Sequence, residues 1–498
     1  MQSYGVLQGS NGNVWIGSQE NGLFCYNTRT KKLINFLHHD DDINSISHNG
    51  ISPAMEDHAG NLWTVTDAEM LDYYDHVSKK FYHADDGGNS MASFGKVWQI
   101  KEDMSHKIWI PTEGNGILTV DTRYKKFISF QHHADDNHSL SKNFVLSFLR
   151  DKSGSMFIGS EGVDIFDERS KTFSPLVLTE HGKNILMDDD VWHIYEDKKG
   201  MIWFCTVNGL ISYNPSTKTH HWYKHDVNDS TTLSETSCTD IIEDSKGRYW
   251  ATTWQGGFDS FNPANGKFRA FKVHDGVNSI SSNSLTELLE DSRGMIYIGS
   301  WSGGLIEFNP DNETFKIYRH DVKDSSTISS DIIMNLTVTK SARLPDGQGF
   351  IWVATLGGGL NAFNPATGKF RAFTSKDGLS NNVIQSIEED NYGNLWLGTE
   401  HGISCFTPPQ NPFDAKSTFH FRNYDRSDGL PSNDINVNSS HKDADGKIYF
   451  GTAASGFFYF YPEELKDNDY VPPVYITDFK LFNQSVNRND SASKPSPT

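Results

Sequence analysis

Apolar and polar residues alternate along this chain in short runs separated by Gly, Asp and Asn. In residues 237–271 the runs are SCTDIIED (237–244), YWATT (249–253), FDSFNP (258–263) and ANGKFRAF (264–271). A period of two over about five residues predicts a strand with one face on a core. The stretch SKGR predicts a tight turn, since Asp244 can bond back to turn amides and Gly247 supplies a positive φ. Pro263 ends the third strand, and 272–283 crosses to the next unit. Four antiparallel strands in sequence make one small sheet, apolar on both faces.

That pattern recurs. EDHAGNLWTVT (56–66), EDKKGMIWFCT (196–206), EDSKGRYWATT (243–253), EDSRGMIYIGS (290–300) and EDNYGNLWLGT (389–399) are copies of one phrase. Its aromatic falls at Trp15, Trp63, Trp109, Phe157, Trp203, Trp250, Tyr297, Trp352, Trp396 and Tyr449. Successive spacings are mostly 44–48 residues, with longer gaps ending at Trp352 and Tyr449. A repeat of this length suits one four-stranded blade of a β-propeller, so the expected class is all-β. Blade packed on blade buries both faces, and the aromatic supplies much of the area. On this geometry the Asp-x-x-Gly turns share one side of the ring. The second-to-third-strand loops and the crossovers share the other, which is the expected binding side.

Charge and composition narrow the function. The net charge of −20 over 498 residues argues against nucleic acid or anionic membrane as partners. The four cysteines (Cys25, Cys205, Cys238, Cys405) lie far apart, and three sit inside predicted strands as small buried hydrophobes. No stretch is apolar for the 18 or more residues that a membrane helix needs. The start, MQSYGVLQGSNGNVWIGS, carries no signal-peptide pattern and is expected to enter a repeat at the turn before Trp15, as part of a longer chain.

The phrase E-D-x-x-G-x-[LIM]-W-[IL]-G-T-x-x-G-G-L-x-x-[FY]-[ND] resembles the two-component regulator propeller repeat, over about residues 5–487. DGLPSNDINVNSS…DGKIYFGTAASGFFYFYPEEL (428–465) looks like that family's last blade. VPPVYITDFKLFNQSV (471–486) looks like the first strands of the immunoglobulin-like domain that follows it. The resemblance implies the sensor region of a hybrid two-component system of Bacteroides-type bacteria. Such full-length sensors carry two seven-bladed propellers, the immunoglobulin-like domain, a membrane helix, a histidine kinase, a receiver and a helix-turn-helix output. This chain has ten blade motifs and no kinase. The expected division is 1–139, the last three blades of a truncated propeller; 140–466, a seven-bladed propeller; 467–487, the opening immunoglobulin-like strands; and 488–498, a disordered tail. A single ten-bladed ring is the alternative. The resemblance also implies a periplasmic location, an oligosaccharide ligand and a homodimer in the full-length form.

Candidate chemistry is sparse. The Glu-Asp pairs 102–103, 196–197, 243–244 and 290–291 recur once per blade at one turn, so a structural role outweighs glycoside hydrolysis. The histidines at His38-His39, His132-His133, His220-His221, His225, His274 and His320 recur in crossovers and are expected to satisfy turn backbone in preference to a metal. No catalytic residue, metal ligand or cofactor is assigned. The residues that break the repeat on the loop-rich side are more telling. Trp254 and Trp301 follow second strands where other blades have Val207, Leu356 or Glu400, and Trp98 and Trp192 begin inner strands where others have Thr239, Thr286 or Gln385. With Glu113, Glu400 and His401 they form the expected ligand-binding set, an aromatic platform suited to a neutral or weakly charged glycan. The other readings are a propeller-fold glycosidase or lyase and a protein-interaction scaffold.

Overall fold

The computed structural model describes residues 3–39, 42, 44–67, 70–76, 79–83, 96–97, 99–114, 116–121, 127–187, 189–276, 278–343, 349–465, 480–481 and 484–485. The repeated phrase folds the same way in each copy. In the copy at 243–253 the strands are Cys238–Glu243, Tyr249–Thr253, Gly257–Asn262 and Lys267–Phe271, paired antiparallel in chain order. The turn aspartate does more than cap the turn. Asp244 accepts from the amides of Lys246 and Arg248 and from the indole Nε1 of Trp250 at 3.0 Å. Asp57, Asp103, Asp197 and Asp390 accept in the same way from Trp63, Trp109, Trp203 and Trp396. This is why Asp and Trp recur six residues apart: the buried indole N–H needs an acceptor, and the turn supplies it.

The chain divides into two compact units, Met1–Tyr124 with Lys466–Thr498, and Lys125–Leu465. The second unit holds seven four-stranded sheets, here numbered as blades in chain order. Their innermost strands are Ser147–Arg150, Val191–Glu196, Cys238–Glu243, Leu285–Glu290, Ile333–Arg343, Ile384–Glu389 and Ile435–Lys442. Each neighbours the next, and the seventh neighbours the first. At that junction Val145 N–H donates to Thr452 O, and Asn436 Nδ2 and Ser439 Oγ donate to Val145 O. The seventh blade takes its outer strand from the other end of the unit: Ile128–Phe130 pairs antiparallel with Phe457–Phe460. The unit therefore starts at Lys125 and not at residue 140, because pairing its first strand with its last sheet leaves no free edge at the closure.

Core clusters straddle the blades. Trp203 of blade two packs with Tyr249, Ala251 and Phe261 of blade three, and Trp250 of blade three packs with Ile296, Ile298 and Phe308 of blade four. Each buried indole contributes roughly 2–3 kcal/mol by area. The two long repeat spacings have local causes. Blade five extends its first hairpin, Ile333–Arg343 with Gly349–Thr355, and blade six carries a longer connection between Gly402–Thr407 and His420–Tyr424.

The first unit holds two four-stranded sheets joined by a bridge between Ser18 and Ile51, and a three-stranded sheet of Lys101–Glu102, Lys107–Thr112 and Gly116–Asp121. Its first strand is Ser3–Gln8, so the chain enters its first sheet on a strand paired with Asn13–Ser18, ahead of the turn before Trp15. Of residues 467–487, two short strands are described, Lys480–Leu481 and Gln484–Ser485, paired as a hairpin. The rest of that segment and residues 488–498 lie outside the described residues. All four cysteines are free thiols.

Candidate functional site

Two recurrent polar features serve the scaffold. In several copies the glutamate before the turn aspartate reaches back to the preceding blade: Glu196, Glu243 and Glu290 accept from the backbone N–H of Lys152, Lys198 and Ser245. The Glu-Asp pairs are thus a blade-to-blade clasp and a turn anchor. The crossover histidines bind backbone: Nδ1 of His132, His225 and His320 donates to the carbonyls of Leu140, Leu233 and Ile328 at 2.7 Å.

The loop-rich side of the seven-bladed unit has its own geometry at the start of the inner strands. Blades two to six each shift register there, between Val191 and His193, Cys238 and Asp240, Leu285 and Leu288, Ile333 and Asn335, and Ile384 and Ser386. Such a bulge re-aims side chains. In blades three and four the residue beside it is threonine, and Thr239 and Thr286 donate to the carbonyls of Leu285 and Ile333 in the next blade. In blade two that place is Trp192, whose buried indole N–H has no hydrogen-bond partner. The chain places Trp254 and Trp301 just past the second strands of blades three and four. Their amides donate to Ser237 O and Ser284 O, which ties both to the crossovers. Their rings meet edge to face, with centroids 5.3 Å apart at 63°.

These three tryptophans line one cavity of about 390 Å³ with Val207, Thr239, Met334 and Asn438. Its wall is mainly aromatic and aliphatic, with a hydroxyl or amide at intervals, and its volume falls in the range of small-ligand sites, ~300–1,000 Å³. The next residues along the inner strands are polar and hold the ring together. Asp240 accepts from Leu288 N–H, Glu287 from Leu336 N–H, and Asn335 Oδ1 from Ile387 N–H, each in the following blade. Burial pushes the Asp240 carboxyl above its usual range, against the pull of His193. Burial and then the charge of Asp240 raise Glu287 as well.

Trp192, Trp254 and Trp301 come together, and Glu400 and His401 of the same unit do not join them. Trp98 lies outside the described residues. Glu113 is exposed in the first unit, in the loop after Lys107–Thr112. Glu400 and His401 are exposed in the turn after Leu395–Thr399 of blade six and do not line the cavity. Sequence reasoning passed over Asn438 and Met334. Asn438 has a left-handed φ of 53° in an otherwise extended strand, and its amide in the run INVNSS is the only local signal.

The family described as two component regulator propeller matches residues 185–208 and 378–401, in blades two and six. The chain is 25% identical over 420 residues to histidine kinase P4 of Formosa agariphila, covering 84% of this chain and 26% of that protein. Two crystal structures of the extracellular domain of BT4673 from B. thetaiotaomicron, described in one as a one component system and in the other as a hybrid two component system, are similar in fold. They show TM-scores of 0.52 and 0.54 at 21% identity, covering 97% of this chain and 60% and 61% of theirs. The chain thus spans about a quarter of the kinase and three fifths of those domains. No helix among the described residues is long and apolar enough to cross a membrane.

Proposed function

We propose that this two-component regulator propeller is the periplasmic ligand-sensing region of a hybrid two-component system, and that the tryptophan-lined cavity binds a glycan-derived oligosaccharide. The observation that carries the reading is the cup formed by Trp192, Trp254 and Trp301. Flat apolar rings suit the C–H faces of a sugar. The kinase that receives the signal lies outside this chain, and a homodimer couples the two, since a ligand acts only by preferring one arrangement over another.

Glycoside hydrolysis is the rival reading, because Asp240 and Glu287 are carboxyl groups close along the inner strands. Both, however, accept backbone N–H groups of the next blade. They act as ring ties, and no cofactor is called for.

The test is calorimetry and thermal shift against neutral plant, host and microbial oligosaccharides. A native-state ligand raises the melting temperature by mass action. Trp254→Ala and Trp301→Ala are each expected to weaken a selective hit at least ten-fold, about 1.4 kcal/mol, without hydrolysing it. Product release would favour the enzyme. A blank panel with a folded protein, together with retained binding of a protein partner, would favour the scaffold reading.

A further inference from the structure

The first unit contains a group of side chains that breaks the repeat in a different way. In the turns of the other described copies, the fourth position is glycine with φ between 77° and 93°, as at Gly60, Gly154, Gly200 and Gly247. In the turn Asp103-Met104-Ser105-His106 that place is a histidine, held at φ 66°. A left-handed backbone is unfavourable for any residue with a Cβ, and such residues cluster at functional sites. The repeat geometry shows where a side chain there must go. A Cβ built on Gly200, Gly247 or Gly294 lies 3.5–3.7 Å from Oε1 of the clasp glutamate of its own blade. His106 uses that direction: its Nδ1 lies 2.9 Å from Glu102 Oε1.

The preceding blade brings a second imidazole to the same oxygen. His58 gives its backbone N–H to Glu102 Oε2 at 2.8 Å, as the clasp requires, and its Nδ1 lies 2.5 Å from Glu102 Oε1. In two other copies the side chain beside the clasp glutamate is an ammonium, Lys152 near Glu196 and Lys198 near Glu243, and in two more it is a serine, Ser10 beside Glu56 and Ser245 beside Glu290. The two imidazoles stack with centroids 3.7 Å apart. Two nitrogens and one carboxylate oxygen, from two adjacent blades, all lie within 4.8 Å of one another on a solvent-facing surface.

We propose that His58, Glu102 and His106 bind one borderline transition-metal ion, of the Zn²⁺, Ni²⁺ or Cu²⁺ class. Imidazole nitrogen with carboxylate oxygen is the donor set for these ions, and it is a poor one for Ca²⁺ or Mg²⁺, which take all-oxygen shells. Glu102 is fixed through Oε2 by the clasp, and that leaves Oε1 as a pre-aimed ligand. The ion replaces the hydrogen-bonding protons of the two imidazoles and keeps open positions for water. It links the second and third sheets of the unit.

Zinc titration of the full chain by calorimetry tests this, with His106→Gly and His58→Lys beside it. The first variant restores the residue that the other copies use, and the second restores the lysine of the copies at 152 and 198. The metal-free melting temperature is therefore expected to hold or rise in His106→Gly. Wild type is expected to bind one Zn²⁺ per chain with micromolar affinity, unaffected by millimolar Ca²⁺, and each variant to lose at least ten-fold in affinity. Cu²⁺ bound to wild type is expected to show nitrogen hyperfine structure that weakens in both variants. Absence of saturable binding, or an unchanged first equivalent in both variants, overturns the proposal; the latter would place the ion on other surface histidines.

Discussion

Asp259 and Asn361 occupy the same place in two blades, the third residue of the third strand, and they do the same job with different chemistry. Asn361 accepts from Ser329 N–H at 3.1 Å and donates to Ser329 Oγ at 2.7 Å. Asp259 accepts from Ser234 N–H at 3.2 Å, while its other oxygen is buried without a partner. Burial pushes the Asp259 carboxyl up to about 6, only partly offset by Ser234. A raised carboxyl binds more protons folded than unfolded, so its contribution is complete below its unfolded value and is lost as pH rises through about 6. From 3.8 to about 6 this amounts to roughly 3 kcal/mol at neutral pH. Asp259→Asn is expected to raise stability at pH 8 by about 1–3 kcal/mol and to flatten the pH dependence between 4 and 6.5. Denaturant melts at pH 5 and 8 check this, and equal or lower stability of the variant at pH 8 would contradict it. That Asp259 leaves an oxygen unpaired was not legible in the sequence, because it depends on the placement of a serine 25 residues away.

At the scale of elements the second strand is the most uniform, with its aromatic held by the turn aspartate and buried against the next blade. The burial of that aromatic differs between the two units: Trp109, in the three-stranded sheet, is 42% exposed, whereas Trp203 and Trp250 are 2–3% exposed. The closing strand is the element that local pattern could not place. Ile128–Phe130 reads as the end of one repeat, yet it completes a sheet that begins more than 300 residues later. Phe127 anchors it edge to face against Tyr424, Phe458 and Phe460. Phe127→Ala is expected to cost about 3 kcal/mol and to expose the outer edge of the last sheet, so aggregation on warming should begin at a lower temperature than in wild type. Light scattering during a thermal ramp reads this directly. An unchanged onset would mean that the closure does not depend on this ring.

For the molecule as a whole, the net charge of −20 predicts discrimination among ligands. If the tryptophan cup takes sugars, sulfated analogues of a neutral hit are expected to bind at least ten-fold more weakly at low salt, the gap narrowing as ionic strength rises. Equal affinity would place compensating basic groups at the cup. Strand order, turn chemistry, the blade repeat and the all-β class were legible in the sequence, because each rests on contacts within about 45 residues and recurs often enough to be recognised. The trio Trp192, Trp254 and Trp301 was also visible, as departures from the repeat. That Glu400 and His401 do not line the cavity with them was not, since this depends on the blade in which each lies. The pairing of residues 128–130 with 457–460, the girdle of Asp240, Glu287 and Asn335, and the meeting of His58 with His106 on one glutamate oxygen were decided by tertiary structure alone. The sequence by itself determined what each blade is, because a blade is written in local hydrogen bonds and alternating burial. Only the folded ring decided what the blades make together, because side chains from separate blades become neighbours only when closure brings them to one surface.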